Sequence, residues 1–230
     1  MTSADIILQA RSTSTRLPGK IFTELHGKTM IEQILKRLSL VKNLRKLCVA
    51  TIRRDEKRIV RLGRRFGTEV IWGSEENVLS RYLKAAGVLG SRVIVRTTGD
   101  NPFVDYESLD LALDRFDPAR CDYMVMDGLP YGAGFEIFSV ECLERCGKMA
   151  RTKAEKEHVT PYIYNHPLKF RIKRLKAPPA RNCPGLRVTV DTGDDLKTAR
   201  KYYNSYFDRK KGIVNLTRLI RHERHRIARS

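Results

Sequence analysis

Short unbroken apolar runs alternate along this chain with longer stretches whose apolar positions recur every three or four residues. Ile6-Ile7-Leu8, Leu47–Thr51, Glu69–Trp72 and Val93–Val95 are too brief for helices and suit strands buried on both faces. Between them, Thr29–Leu40 carries Met30, Ile31, Ile34, Leu35 and Leu38 at helical spacing. Asn77–Leu89 carries Val78, Leu79, Tyr82, Leu83 and Ala86 in the same way. Glu56–Phe66 and a helix containing Leu109–Phe116 complete the alternation. The pattern predicts an α/β fold with a mainly parallel sheet covered by helices on both faces, and ligands beyond the carboxyl ends of its strands. From Asp122 the pattern changes. Tyr123–Met126 and Phe135–Phe138 read as strands around the turn-rich LPYGAG, Val140–Cys146 and Ala154–Tyr164 as helices, and Phe170–Leu175 and Leu186–Val190 as later strands. APPARNCPG, residues 177–185, is a stiff loop and not a linker, and no repeat or low-complexity tract divides the chain.

Composition narrows the class. With 41% apolar and 31% charged residues the 230-residue chain is globular, either one large domain or a domain with an appendage. No run of 18 apolar residues and no basic-then-apolar leader is present, so the expected compartment is the cytoplasm and no membrane is expected as a partner. The five cysteines are scattered, and Cys142 and Cys146 lack a second pair, which argues for reduced thiols over zinc. The formal charge of +19 fits nucleic acid, an anionic surface or anionic small substrates. Part of that excess lies at the end of the chain, in Arg209, Lys210, Lys211, Arg218, Arg221, Arg224, Arg226 and Arg229 against Glu223. The same segment reads equally as an amphipathic helix, with Val214, Leu216, Leu219, Ile220 and Ile227 as its apolar stripe.

Candidate chemistry gathers at strand ends. The first strand empties into Gln9–Lys20, a loop of hydroxyls with Arg11, Arg16, Gly19 and Lys20. Backbone N–H groups and Ser/Thr hydroxyls there can line phosphate oxygens while the cations neutralise them. The spacing matches neither GxxxxGK[ST] nor GxGxxG. In TTGDNPFVD, residues 97–105, Asp105 lies nearer the next helix and suits its cap, leaving Asp100 to face the crevice. In LRVTVDTGDDLKTAR, Thr192 and Asp195 resemble a capping box, leaving Asp191 free at a strand end. Two such carboxylates are what Mg²⁺ uses together with substrate phosphates and waters; two unrelated solvated acids fit the spacing as well.

The segment QARSTSTRLPGK resembles the signature loop of the sugar-acid cytidylyltransferases, which join CTP to 3-deoxy-octulosonate or sialic-acid-like sugars. It is nearest the spore-coat polysaccharide biosynthesis protein F branch. TTGDNPFVD, VDTGDDL, WGSEENVLSRY and EHVTP match further motifs of that family, in order, from Asp5 to about Tyr206. The resemblance implies a single Rossmann-like, glycosyltransferase-A-like nucleotidyltransferase domain over residues 1–206, with a basic helical extension over 207–230. It implies Mg²⁺ on Asp100 and Asp191, and catalysis by Lys20, Arg11, Arg16 and Asp100. Nucleotide contacts would come from Leu8, Gln9, Ala10, Arg11, Ser14, Arg16, Gly19, Lys20, Thr98, Gly99 and Asp100. Gly73, Ser74, Asn77 and Arg81 would flank the base and ribose, although an ordinary helix capped by Ser74 accounts for that stretch too. Glu136 and His158 would meet the acceptor. Gly134 stands where the family often has aspartate, which points to another acceptor or another residue. The implied partners are CTP and an acidic sugar, with a homodimer formed through residues 131–170. The rival readings are a different acceptor such as a phosphonate and, as another class, a basic nucleic-acid-binding protein.

Overall fold

In the computed structural model, which describes residues 2–227, the opening apolar run becomes β1 (Ala4–Gln9). Alternate residues of β1 face two core layers: Ile6 and Leu8 point to one and Ile7 to the other, all three fully buried. That double burial explains an uninterrupted apolar run in place of an alternating one.

A small hairpin, β2 (Glu24–Leu25) and β3 (Lys28–Thr29), leads into α1 (Met30–Leu38), which Thr29 and Glu32 start with a reciprocal capping box. The chain continues through β4 (Leu44–Thr51), α2 (Glu56–Gly63), β5 (Glu69–Trp72), α3 (Val78–Leu89), β6 (Val93–Thr98) and α4 (Tyr106–Leu113). Next come β7 (Tyr123–Asp127), β8 (Glu136–Ser139), α5 (Val140–Met149), α6 (Lys153–His158), α7 (Pro161–Asn165) and β9 (Ile172–Lys176). The chain ends with α8 (Gly193–Tyr206), the hairpin β10 (Phe207–Asp208) and β11 (Ile213–Val214), and α9 (Leu216–Ile227).

The seven-stranded sheet runs β5-β4-β1-β6-β8-β7-β9. β1 pairs in parallel with β4 and β6, whereas β8 is antiparallel to both β6 and β7. From β1 the chain steps outward to β4 and β5, then returns to lay β6 on the other side of β1. The direction of winding therefore reverses between β1 and β6, and a crevice opens beyond their carboxyl ends.

Two expectations change. Leu186–Val190 is extended, with Leu186, Val188 and Val190 buried, but it joins no sheet. Its backbone pairs with loops: Tyr131 donates to the Leu186 carbonyl, Val188 to that of Tyr131 and Val190 to that of Asp100, each at 2.8 Å. The helix expected over Ala154–Tyr164 is broken in two at Val159, whose φ of 70° is left-handed for a β-branched residue. Thr160 N–H reaches back to the His158 carbonyl at 2.8 Å in a γ-turn, and Pro161, which has no N–H to continue a ladder, restarts the helix. Part of the segment expected as a helical extension, 207–230, packs on the core: Val214, Leu216, Leu219 and Ile220 are buried in the same cluster as Ile6 and Leu8. Arg229 lies outside the described residues.

Candidate active site

The crevice forms where two loops touch. Gly99 N–H donates to the Gln9 carbonyl at 2.7 Å, which locks the loop after β6 against the loop after β1. A Cβ at Gly99 would sit 3.0 Å from the Ala10 Cβ and 3.1 Å from the Gln9 carbonyl, so the approach favours glycine. The loop after β1 is pinned from below by the Asp55 carboxylate, which accepts from Ser12 N–H at 2.7 Å. It closes on itself where Gly19, at φ 70°, donates to the Ser12 carbonyl at 2.9 Å. That turn delivers Lys20 into the floor of the crevice, only 8% exposed.

Lys20 Nζ donates to the Val190 carbonyl at 2.9 Å and to Asp191 Oδ1 at 3.1 Å, and lies 3.7 Å from Asp100 Oδ2. The two carboxylates chosen from distant segments thus share one ammonium. Asp191 also meets Arg16 at 3.1 Å and Arg187 at 2.9 Å. Burial alone would push the Asp191 carboxyl up; the Lys20 hydrogen bond and charge, then Arg187 and Arg16, outweigh it and hold the group below the usual carboxylate range. Asp105 caps α4 through Ser108, and Thr192 with Asp195 forms the capping box at the start of α8, as the spacing predicts.

A cleft of about 300 Å³ follows, lined by Gln9, Ala10, Arg11, Ser14, Arg16, Lys20, Thr98, Gly99, Asp100, His158 and Asp191. Beside it lies a second cavity of about 850 Å³, which contains Gly134 and Glu136 and shares Arg96, Thr98 and His158 with the first. Glu136 is held on all sides: it accepts from Arg96 and Tyr123, from Tyr164 at 2.7 Å and from Thr160 at 2.9 Å. Burial raises its pKa, but Arg96 and these hydroxyls more than reverse that, and the carboxyl stays below its ordinary value.

Several residues expected at the nucleotide are not among those that line the cleft. The Leu8 side chain is fully buried beneath the cleft. Gly73, Ser74, Asn77 and Arg81 line neither cavity. Asn77, not Ser74, caps α3, accepting from Ser80 N–H at 2.9 Å, while the Ser74 hydroxyl accepts from Asn77 N–H at 3.0 Å. Arg81 is fully buried and donates to the Ser74 carbonyl at 2.8 Å, so it braces this loop from inside; a Cβ on Gly73 would press against it at 3.3 Å. Arg11 connects this loop to the cleft, donating to the Glu75 carbonyl at 3.2 Å, and it also lies 3.7 Å from Glu157.

Sequence reasoning missed Arg96, Arg187 and Glu157. Arg96 had a signal, a charge inside the apolar strand VIVRTT; Arg187, four residues before Asp191 in an irregular segment, had none. Among the described residues no group of three or more His, Cys, Asp or Glu side chains could hold a metal ion. Asp100 and Asp191 are hard oxygen donors of the kind Mg²⁺ takes alongside phosphate oxygens and waters, and here they face the Lys20 ammonium from two sides.

The family model described as cytidylyltransferase matches residues 6–216. This chain belongs to the cytidylyltransferase family. It is 33% identical over 209 residues to the spore coat polysaccharide biosynthesis protein SpsF of Bacillus subtilis, covering 88% of this chain and 87% of that one. A 3-deoxy-manno-octulosonate cytidylyltransferase of Geobacter sulfurreducens is 32% identical over 109 residues, 46% of this chain and 42% of its own. A solved cytidylyltransferase from Leptospira borgpetersenii superposes with a TM-score of 0.87 at 29% identity, over 98% of this chain and 96% of that chain. In this cytidylyltransferase the matched span takes in the crevice loops and both cavities and stops at the first residue of α9. No helix of the described residues is long and apolar enough to cross a membrane.

Proposed function

We propose that this cytidylyltransferase transfers CMP from CTP to an acidic sugar of the 2-keto-3-deoxy type, releasing pyrophosphate, in the synthesis of a cell-surface glycan. One observation carries the reading: Lys20 lies within 4 Å of both Asp100 and Asp191 on the floor of a cleft that shares Arg96, Thr98 and His158 with a second, larger cavity. The triphosphate occupies the first cavity and the acceptor the second. Lys20, Arg16 and Arg11 bind and orient the phosphates by charge-assisted hydrogen bonds. The acceptor oxygen forms a bond to the α-phosphorus as the bond to the bridging oxygen breaks. Pyrophosphate leaves with that electron pair, stabilised by Lys20 and Arg16, and the acceptor proton passes to water. Asp100 and Asp191 would hold Mg²⁺, which when bound neutralises phosphate charge and makes the acceptor hydroxyl more acidic.

The acceptor assignment follows the resemblance to sugar-acid enzymes and the relative named for 3-deoxy-manno-octulosonate. The test is stabilisation of the fold by CTP, ATP, GTP and UTP with Mg²⁺, followed by pyrophosphate release with CTP and a panel of sugar acids and phosphonates. The expected outcome is a shift with CTP and turnover with a sugar acid; turnover with a phosphonate alone would discard the sugar reading. The proposal includes a homodimer through residues 131–170, a segment that leaves Tyr131, Met149, Tyr164 and Leu168 exposed. Light scattering at twice the chain mass is expected, and a monomer across micromolar concentrations contradicts it.

A further inference from the structure

Transfer joins two reactants, so the reacting atoms lie where the two cavities meet. Among the described residues, Arg96, Thr98 and His158 line both. The Thr98 hydroxyl is already engaged, donating to Asp100 and accepting from Asn101 at 2.9 Å. His158 is an exposed side chain at the end of α6. Arg96 differs from both. It stands directly opposite Glu136 across the β6–β8 ladder, and its side chain is 16% exposed. One guanidinium nitrogen donates to Glu136 on the wall of the larger cavity. The other reaches only a long bond, 3.4 Å, to Gln9 Oε1 on the wall of the nucleotide cleft, and Nε has no partner. The group therefore spans the boundary, anchored at one end and under-used at the other.

The anchor is itself rigid. Tyr123, Tyr164 and Thr160 fix the Glu136 carboxylate, so the guanidinium is oriented before any ligand arrives. A plain cross-strand ion pair would account for the bond to Glu136, but not for a side chain that borders two cavities with N–H groups to spare.

We propose that Arg96 is a catalytic residue, donating to the non-bridging oxygens of the nucleotide α-phosphate at the point where the acceptor attacks. This rests on the transfer reading above. As the acceptor oxygen bonds to the α-phosphorus and the bond toward pyrophosphate breaks, charge grows on those oxygens, and a fixed guanidinium meets it without reorganising. Glu136 is then a positioning residue for Arg96.

The test compares wild type, Arg96→Lys and the double variant Arg96→Gln/Glu136→Gln, which leaves no buried carboxylate unpaired. Calorimetric titration with CMP and CTP and steady-state turnover are measured, with melting curves to establish the fold. The double variant should lose about 100-fold in kcat or more, the scale of a lost transition-state donor, with KM for CTP raised by no more than about the tenfold lost in CMP binding. CMP, which has only the α-phosphate, should bind about tenfold more weakly, and Arg96→Lys should recover part of both losses. A folded double variant with kcat within about threefold of wild type, or with unchanged CMP affinity, overturns the assignment. If the double variant does not fold, Arg96→Lys decides by the same two readouts. Binding of a different nucleoside monophosphate with the same dependence on Arg96 would sink the cytidine reading and leave Arg96 in place.

Discussion

Asp191 takes three cations, and the division of labour among them has consequences for both activity and acid stability. Lys20 is the one that also faces Asp100. Replacing it with Ala removes the ammonium that we propose binds the triphosphate but leaves Arg16 and Arg187 on Asp191, so the fold should persist while kcat/KM falls about 10²–10³-fold. Pyrophosphate release with a parallel melting curve checks this; near-normal turnover contradicts the site. Arg187 serves stability, bridging Asp191 at 2.9 Å and Asp195 at 3.0 Å. Burial raises the Asp191 pKa but its cations win, and the Arg187 hydrogen bond leads the causes that lower Asp195, so both stand below the ordinary carboxylate value. Groups lowered by folding contribute stability that is complete above the unfolded pKa of about 4 and vanishes as pH falls through the folded value. Arg187→Gln should therefore flatten the loss of stability between pH 5 and pH 2, measured by urea melts. An equally steep profile would contradict the assignment.

At the scale of elements, caps and turns decide which side chains are spent on structure. Asn77 ends up as the cap of α3, and Ser74 and Arg81 build the loop that leads to it. Asn77→Ala should cost about 1 kcal/mol of stability, whereas Asn77→Ser, a competent cap, should restore most of it. CTP affinity in both should stay within twofold of wild type by calorimetry; a larger loss would return Asn77 to the nucleotide site. The broken helix at Val159 follows the same logic. The left-handed residue between α6 and α7 swings the chain so that Glu157 and His158 face the cleft while Thr160 and Tyr164 clasp Glu136.

For the molecule as a whole, the basic segment after α8 is tied into the main core. Val214, Leu216, Leu219 and Ile220 are each at most 3% exposed. Arg37, fully enclosed on α1, donates to the carbonyls of Val104 and Val214, both at 2.8 Å, so the first helix grips the last hairpin. Each buried aliphatic side chain contributes about 1.5–3 kcal/mol, and four together rival the whole stability of a domain this size. A chain ending at Tyr206 should consequently fail to fold, seen as loss of a cooperative thermal transition; a stable, nucleotide-binding truncation would contradict this packing. The arginines of α9 lie on its outer side, where Arg224 donates to the carbonyls of Pro179 and Asn182 at 2.8 and 2.7 Å.

The chain alone carried the alternation of buried strands and amphipathic helices, the cap roles of Asp105 and Thr192, and the four residues at the heart of the crevice: Arg16, Lys20, Asp100 and Asp191. These depend on local rules, a period of 2 or 3.6, a turn residue, or a charge at a strand end, and local rules are written in consecutive residues. Only the folded structure decided that Leu186–Val190 pairs with loops and joins no sheet, that Arg81 faces inward, and that the tail completes the core. It also brought Arg96, Glu136 and Gln9 together across three strands. Those outcomes depend on which distant backbone offers an unpaired carbonyl or an unfilled hollow. That is fixed by the order in which strands stack, and no short stretch of sequence contains it.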